Sequence, residues 1–269
     1  MAASRLFDVL DEREPVPARC ALEDDYGAAL VLDNDRVAVN FVSTIDGIVS
    51  FGMAADDSRA VGGGVAADRT LMAMLRAVAG VIVVGAGTLR ATLNHQWTPE
   101  ALAGERSEDL DVLRAVCARP VEPAPLLVVG GGIPSDAAAV ARPAVPVHVL
   151  TADGVMDAQT ALGSGAHRAG GHLAAGTIVD AARGLAGGGP ILCEGGPHLL
   201  GTLLEGAIPL DLFLTIAPQL AGRSGESVER RSLVEGVALP PLSRTGELRS
   251  TRRSVDHLLL RYRINARAS

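Results

Sequence analysis

The sequence predicts an α/β fold: a mostly parallel central sheet with helices on both faces and an antiparallel C-terminal strand. Three stretches carry this reading. Val81–Val84, Leu126–Val129 and the run that opens at Ile191 are short and continuously apolar, and each runs straight into glycines: Gly85-Ala86-Gly87, Gly130-Gly131-Gly132 and Gly195-Gly196. Unbroken apolar runs of this length suit strands buried on both faces. Helical spacing follows, as in Leu199, Leu200, Leu203 and Leu204, and a further strand returns at Leu212–Ala217. Strand, glycine turn, helix, strand is the order of a parallel crossover unit.

Taken in order, residues 1–35 hold mixed charge, Pro15, Pro17 and the acidic Glu23-Asp24-Asp25. They read as an N-terminal extension packed on a single domain of residues 36–269, with a short helix at Arg5–Asp11. Val37–Val42 is the first core strand, and Ser43-Thr44-Ile45-Asp46-Gly47 ends it with hydroxyls, a carboxylate and a turn glycine. Gly52–Gly64 is a small-residue loop expected to close over a ligand. Ala66–Val78 is a helix by the spacing of Leu71, Met74, Leu75 and Val78, with Asp68 in its first turn and Arg76 near its end. After the Val81 strand a helix is expected from Thr88. Residues 93–123 are less regular, with helix at Glu108–Ala118. Pro146–Leu150 is a strand, Thr177–Leu185 a helix, and the alternating His257–Ile264 forms the last strand, at or near one edge of the sheet.

With 269 residues, 48% of them hydrophobic, the chain can bury a full core. It contains no lysine, and its 24 basic residues are all arginine. A lysine Schiff base and a P-loop lysine are therefore excluded. A net charge of −7 argues against nucleic acid or an anionic membrane as partner. Cys20, Cys117 and Cys193 are scattered, without the spacing of a zinc site, an iron–sulfur cluster or a disulfide framework, and the six histidines show no metal spacing either. A reducing, cytoplasmic location is expected, and no apolar segment reaches membrane-spanning length.

Four stretches then stand in one order: VAVNFVSTIDG (37–47), LRAVAGVIVVGAGTLRA (75–91), ILCEGGPHLL (191–200) and LTIAPQLAG (214–222). Together they resemble the reductase domain of the riboflavin-biosynthesis deaminase/reductase family, whose fold is similar to dihydrofolate reductase. The resemblance implies NADPH as cofactor, a ribosylaminopyrimidine phosphate as substrate and a homodimer. By position, Gly85, Gly87, Thr88, Glu194, Gly195 and Gly196 would line the cofactor groove, with Thr151 at a further strand-to-loop junction. Backbone N–H groups at glycine turns suit phosphates. Asn40, Ser43 and Asp46 would flank the nicotinamide and substrate, Asp46 as a catalytic residue and Asn40 and Ser43 as substrate contacts, and Arg76 would reach substrate. For Asp46 a turn carboxylate bonding backbone is an equal reading, and for Glu194 and Arg76 so is a role at the helix termini.

Two departures point elsewhere. The family usually has a cation after Asp-Gly, where this chain has Ile48, and losing it weakens the hold on a sugar phosphate. Asp68 stands where dihydrofolate reductases carry the carboxylate that binds the pterin ring, so a catalytic Asp68 and a pterin substrate form the alternative, against a plain helix N-terminal aspartate. A non-catalytic NADPH-binding protein is a third reading, and a flavin or deazaflavin in place of nicotinamide a fourth. With no HxE and no PCxxC, deamination is not expected. Of the histidines, only His198 is expected near the groove, and Trp97 packs against the groove or covers the core.

Overall fold

The computed structural model describes residues 6–53, 57–91, 95–130, 145–151, 154–157, 173–223 and 230–266. A ten-stranded sheet runs through them in the order β1-β11-β12-β9-β2-β8-β4-β5-β6-β7. Its centre is parallel: β2 (Val37–Thr44), β4 (Val81–Gly85), β5 (Leu126–Val129), β6 (Val147–Thr151), β8 (Ile191–Cys193) and β9 (Leu210–Ala217). Antiparallel strands flank it: β7 (Gly154–Asp157) on one side, β12 (His257–Ala266), β11 (Arg244–Ser254) and β1 (Asp8–Glu12) on the other. The short strands β3 (Ile48–Ser50) and β10 (Arg231–Ser232) pair separately.

The apolar runs are long because both faces are covered. In β4, Ile82 and Val84 face one core, shared with α1 (Ala21–Tyr26), α3 (Ala66–Val78) and α6 (Ser107–Val116). Val81 and Val83 face the other, under α7 (Ala175–Leu185) and α8 (Pro197–Glu205). Helix α3 sends Ala67, Leu71, Met74, Leu75 and Val78 inward at helical spacing. It stops where a side chain on Gly80 would lie 2.3 Å from the Ala186 carbonyl, an approach only glycine allows.

Several expectations needed correction. The segment expected as a helix at Arg5–Asp11 forms β1 from Asp8, an edge strand on β11; its Val9 and Leu10 lie exposed, so it has no apolar helical face to bury, and strand pairing prevails. The Gly52–Gly64 loop contains the helix α2 (Asp57–Gly62). The helix after β4, α4 (Ala86–Ala91), begins two residues before Thr88, and the irregular stretch holds a short α5 (Glu100–Ala103) before α6. The last strand is third from its edge, since the polar RTGELRSTRRS pairs with it as β11 through a two-residue turn between Ser254 and His257, with Val255 at φ +56°. The extension is joined to the domain through β1, through Phe7, Leu22, Tyr26 and Leu30 in the core, and through Arg252, whose guanidinium sits 3.6 Å over the Tyr26 ring and bonds its carbonyl at 2.6 Å. Among the described residues no helix is long and apolar enough to cross a membrane.

Candidate active site

In an open parallel sheet, ligands gather outside the carboxyl ends of the strands. There β4 and β8 lie side by side, and their glycine turns touch. A side chain on Gly195 would stand 2.9 Å from Val84 Cα and 3.0 Å from Gly85 N, so the two backbones leave room only for hydrogen. Glu194 N–H donates to the Val83 carbonyl at 3.0 Å. Gly196 adopts φ +69°, the left-handed region, and a side chain on it would sit 3.5 Å from Thr88 Oγ1. Gly85 is the opposite case: a side chain there would meet nothing within 4 Å. Gly87 is exposed and Thr88 partly so. Of the residues expected at the cofactor, Gly85 and Gly195 adjoin, as do Gly196 and Thr88; Gly85 is open, Gly195 buried and close-packed, and Gly87 exposed at the start of α4. Thr151 closes β6 beside Gly154, and the residues between them, like the loop Gly131–Gly132, lie outside those described.

Glu194 and Arg76 are brought together, but with each other. Arg76 Nε and Nη2 meet Glu194 Oε1 and Oε2 at 2.8 and 2.6 Å, the side chains being 1% and 4% exposed. The same guanidinium donates to the Gln96 carbonyl at 3.2 Å, contacts His95 Nε2 at 2.9 Å and lies 5.0 Å over the Trp97 ring. A planar fork matched to a planar carboxylate makes a rigid, mutually neutralised unit. Glu194 and Arg76, expected at the cofactor and at the substrate, are thus paired with each other. His95 is held neutral with its pKa lowered to about 4, first by burial and then by the Arg76 charge. Trp97, 3% exposed, covers the core.

Asp46 also serves the backbone. Its carboxylate accepts from Thr44 Oγ1 at 2.5 Å, from Gly222 N at 2.6 Å and from Ala221 N at 3.1 Å. These bonds, the Thr44 hydroxyl foremost, hold its pKa down at about 2. The turn reading describes Asp46 best. Asn40 and Ser43, expected together, sit three apart on a strand and so on opposite faces. Ser43 is buried opposite Ile216, while Asn40 lies on the α3 side with Ala38.

On that α3 side a polar group gathers. Asp68, in the first turn of α3, has its pKa raised, above all because protein surrounds the carboxyl; Glu194 adds to the rise, whereas the Thr215 hydroxyl and the His257 ring counter it. Thr215 is wholly buried in β9, and its hydroxyl comes near the carboxylate without reaching full hydrogen-bond geometry with any partner. Asn40 Oδ1 and His257 Nδ1 are likewise buried and unpartnered. Buried polar atoms without a partner are costly unless a water or a ligand meets them. Sequence reading found Asn40 and Asp68 but missed Thr215 and His257. A hydroxyl inside the apolar run LFLTIA was the available signal for Thr215; nothing local marked His257. His198, singled out instead, lies exposed, 3.4 Å from Arg231 Nη1. Among the described residues no group of His, Cys, Asp and Glu could hold a metal ion.

Comparison with known proteins agrees with this frame. The RibD C-terminal domain family matches residues 35–243. The chain belongs to that family. RibD from Acinetobacter baumannii superposes with a TM-score of 0.56 at 18% identity, over 86% of this chain and 58% of the other. A pyrimidine reductase-like protein from Corynebacterium diphtheriae gives a TM-score of 0.54 at 19% identity, over 91% and 99%. A diaminohydroxyphosphoribosylaminopyrimidine deaminase/5-amino-6-(5-phosphoribosylamino)uracil reductase from Thermotoga maritima gives 0.50 at 16% identity, over 86% and 56%. The chain thus spans rather more than half the length of the RibD proteins it resembles, and the sheet is the dihydrofolate reductase-like one of those domains. No curated protein matches.

Proposed function

We propose that this RibD C-terminal domain protein is an NADPH-dependent reductase of a ribosylaminopyrimidine phosphate-like substrate. The reading is carried by one arrangement: Gly85, open on its side-chain side, ends β4, and Asp68, whose pKa burial raises, meets Thr215 of β9 three strands along the same sheet. The open side of Gly85 fits the close approach of a diphosphate to backbone, and the left-handed Gly196 opens helix α8 beside it. Bound reduced nicotinamide would supply the hydride. The protein's part is position and proton: as the hydride's electron pair reaches a C=N or C=O carbon, Asp68 in its acid form gives its proton to the heteroatom and is left as carboxylate. Thr215 and Asn40, whose side-chain oxygens are buried and unpartnered, would bond the same ring. The Arg76–Glu194 unit holds α3 against the β8 turn, so that proton and hydride arrive together, and Asp46 fixes the Thr44–Gly47 turn against Ala221–Gly222.

A second reading, a dihydrofolate or pterin reductase, is favoured by Ile48. It is 3% exposed, so the position after Asp-Gly belongs to the core and offers no cation to a phosphate. The deciding experiment follows NADPH absorbance with the ribosylaminopyrimidine phosphate and with dihydrofolate in separate reactions. Oxidation with the pyrimidine supports the first reading and with dihydrofolate the second. Binding of NADPH with silence in both leaves another substrate or a sensor. Location in the cytoplasm and assembly as a homodimer belong to the same proposal, the latter checked by sedimentation.

A further inference from the structure

Residues 230–236 tie together the turns that follow β2 and β8. Leu233 N–H donates to the Gly47 carbonyl and Glu235 N–H to the Pro197 carbonyl, both at 3.2 Å, so this segment reaches from the Asp46 turn to the start of α8. Within it the β10–β3 register sets Arg231 opposite Ser50. Three arginines belong to the segment and its approach, and they differ in what they meet. Arg223 Nη1 donates to Ser232 Oγ at 3.0 Å and to Glu235 Oε1 at 3.2 Å, so a carboxylate answers its charge. Arg230 Nη1 donates to the carbonyls of Ala221 and Gly222, the latter at 2.7 Å, and its guanidinium lies 5.5 Å over the Phe51 ring. Asp46 accepts from the N–H groups of the same two residues and is occupied with them.

Arg231 is exposed, and its Nη1 stands 3.4 Å from Nδ1 of the exposed His198. A guanidinium only donates, so Nδ1 accepts and the ring N–H is at Nε2. The ring is set by its surroundings: a side chain on Gly236, at φ +81°, would come 3.0 Å from His198 Cδ2. What Arg231 and His198 offer to solvent is therefore N–H. Among the described residues no carboxylate pairs with Arg230 or Arg231. Two positive charges and a third donor thus stand on one short strap, in contact with the turns after β2 and β8.

We propose that Arg231, with Arg230 and the Nε2–H of His198, binds a phosphate monoester carried by a ligand that lies along these two turns. A monoester carries close to two negative charges at neutral pH and presents three acceptor oxygens, and forked guanidinium donors match such a group. The strap lies to the side of the backbone turns, where a phosphate that ends an arm of the ligand is reached. Two such groups occur in the proposed reaction, the 2′-phosphate of NADPH and the sugar phosphate of the pyrimidine. The inference rests on reading these turns as ligand turns, and its test reads phosphate binding apart from turnover.

The whole chain is titrated calorimetrically with ribose 5-phosphate against ribose, and with adenosine 2′,5′-bisphosphate against adenosine 5′-monophosphate. The wild type is compared with Arg231→Gln, with Arg231→Lys and with Arg183→Gln, a loss of charge on α7 that is 56% exposed. In Arg231→Gln, affinity for one phosphate-bearing probe should fall about tenfold or more. Its counterpart without that phosphate should bind unchanged, Arg231→Lys should regain part of the loss, and Arg183→Gln should bind as wild type. A loss toward ribose 5-phosphate assigns the strap to the sugar phosphate, and a loss toward the bisphosphate assigns it to the 2′-phosphate. Wild-type protein that prefers neither phosphate-bearing probe over its counterpart overturns the inference, as does equal binding by Arg231→Gln or an equal loss in Arg183→Gln. Arg231 is exposed, so its replacement disturbs no packing. NADPH oxidation with unchanged KM values in Arg231→Gln would keep the reductase reading and remove the phosphate site. Phosphate-selective binding that needs Arg231, in a chain that oxidises no NADPH, would keep the site and remove that reading.

Discussion

Two glycines of one touching pair of turns should fail in opposite ways when replaced by alanine. In Gly195→Ala the new methyl falls 2.9 Å from Val84 Cα and 3.0 Å from Gly85 N, and both obstacles are backbone of a buried parallel strand. Neither can rotate away as a side chain would, so β8 and β4 must part by several tenths of an ångström. Overpacking of this kind costs about 1–3 kcal/mol, which in a chain of this size lowers the melting temperature by roughly 3–10 °C. Gly85→Ala meets nothing within 4 Å and has ordinary strand backbone, so its stability should stay within about 0.5 kcal/mol of wild type. Its methyl stands on the surface assigned to the cofactor, and NADPH affinity should fall about tenfold or more, roughly 1.4 kcal/mol. Thermal melts and NADPH titration by fluorescence read both variants. A Gly85→Ala protein that binds NADPH like wild type would put the cofactor elsewhere. A Gly195→Ala protein that melts like wild type would refute the packing argument.

Arg76→Ala should cost about 3–5 kcal/mol in denaturant unfolding, because it strands Glu194 as an uncompensated charge 4% exposed; replacing both residues by apolar ones should recover much of the loss. His95, at about 4 when folded against 6.5 as a free side chain, binds its proton more readily unfolded, so stability is full above pH 6.5 and is lost as pH falls toward 4. His95→Gln should flatten that slope in melts taken across the same range. Asp46 titrates near 2 against an ordinary 3.8, so its contribution is present above 3.8 and disappears as pH falls through 2; Asp46→Asn should remove that component of acid sensitivity. Asp68→Ala should abolish proton-coupled turnover while sparing NADPH binding, and undiminished turnover would end its donor role.

The parallel centre of the sheet was legible because burial on both faces writes one signal into each strand. VIVV and LLVV are apolar without alternation, and a glycine stands where each leaves the core. The flanking antiparallel strands carry no such signal. In β11 only Ser250 and Arg252 are buried, and Arg252 is there because the Tyr26 ring and carbonyl receive it from the extension. An arginine that belongs to the core only through a partner more than two hundred residues away reads, in sequence, as surface. The same holds for β1, whose strand character comes from its pairing with β11 rather than from its own exposed residues.

At the site, the glycine turns were legible in the sequence, whereas contacts made across the chain were not. Gly85, Gly195 and Gly196 are glycines for reasons that a strand-to-helix turn announces. Glu194 and Arg76 were read as charged groups near a ligand, yet 118 positions apart in the chain they meet as a closed pair. Pairing them leaves Asp68 as the one carboxyl in this cluster whose pKa burial raises without an arginine to answer it. That contrast is the ground for proposing Asp68 as the proton donor: a carboxyl whose pKa burial raises, and which has no guanidinium to hold it charged, can carry a proton and give it up.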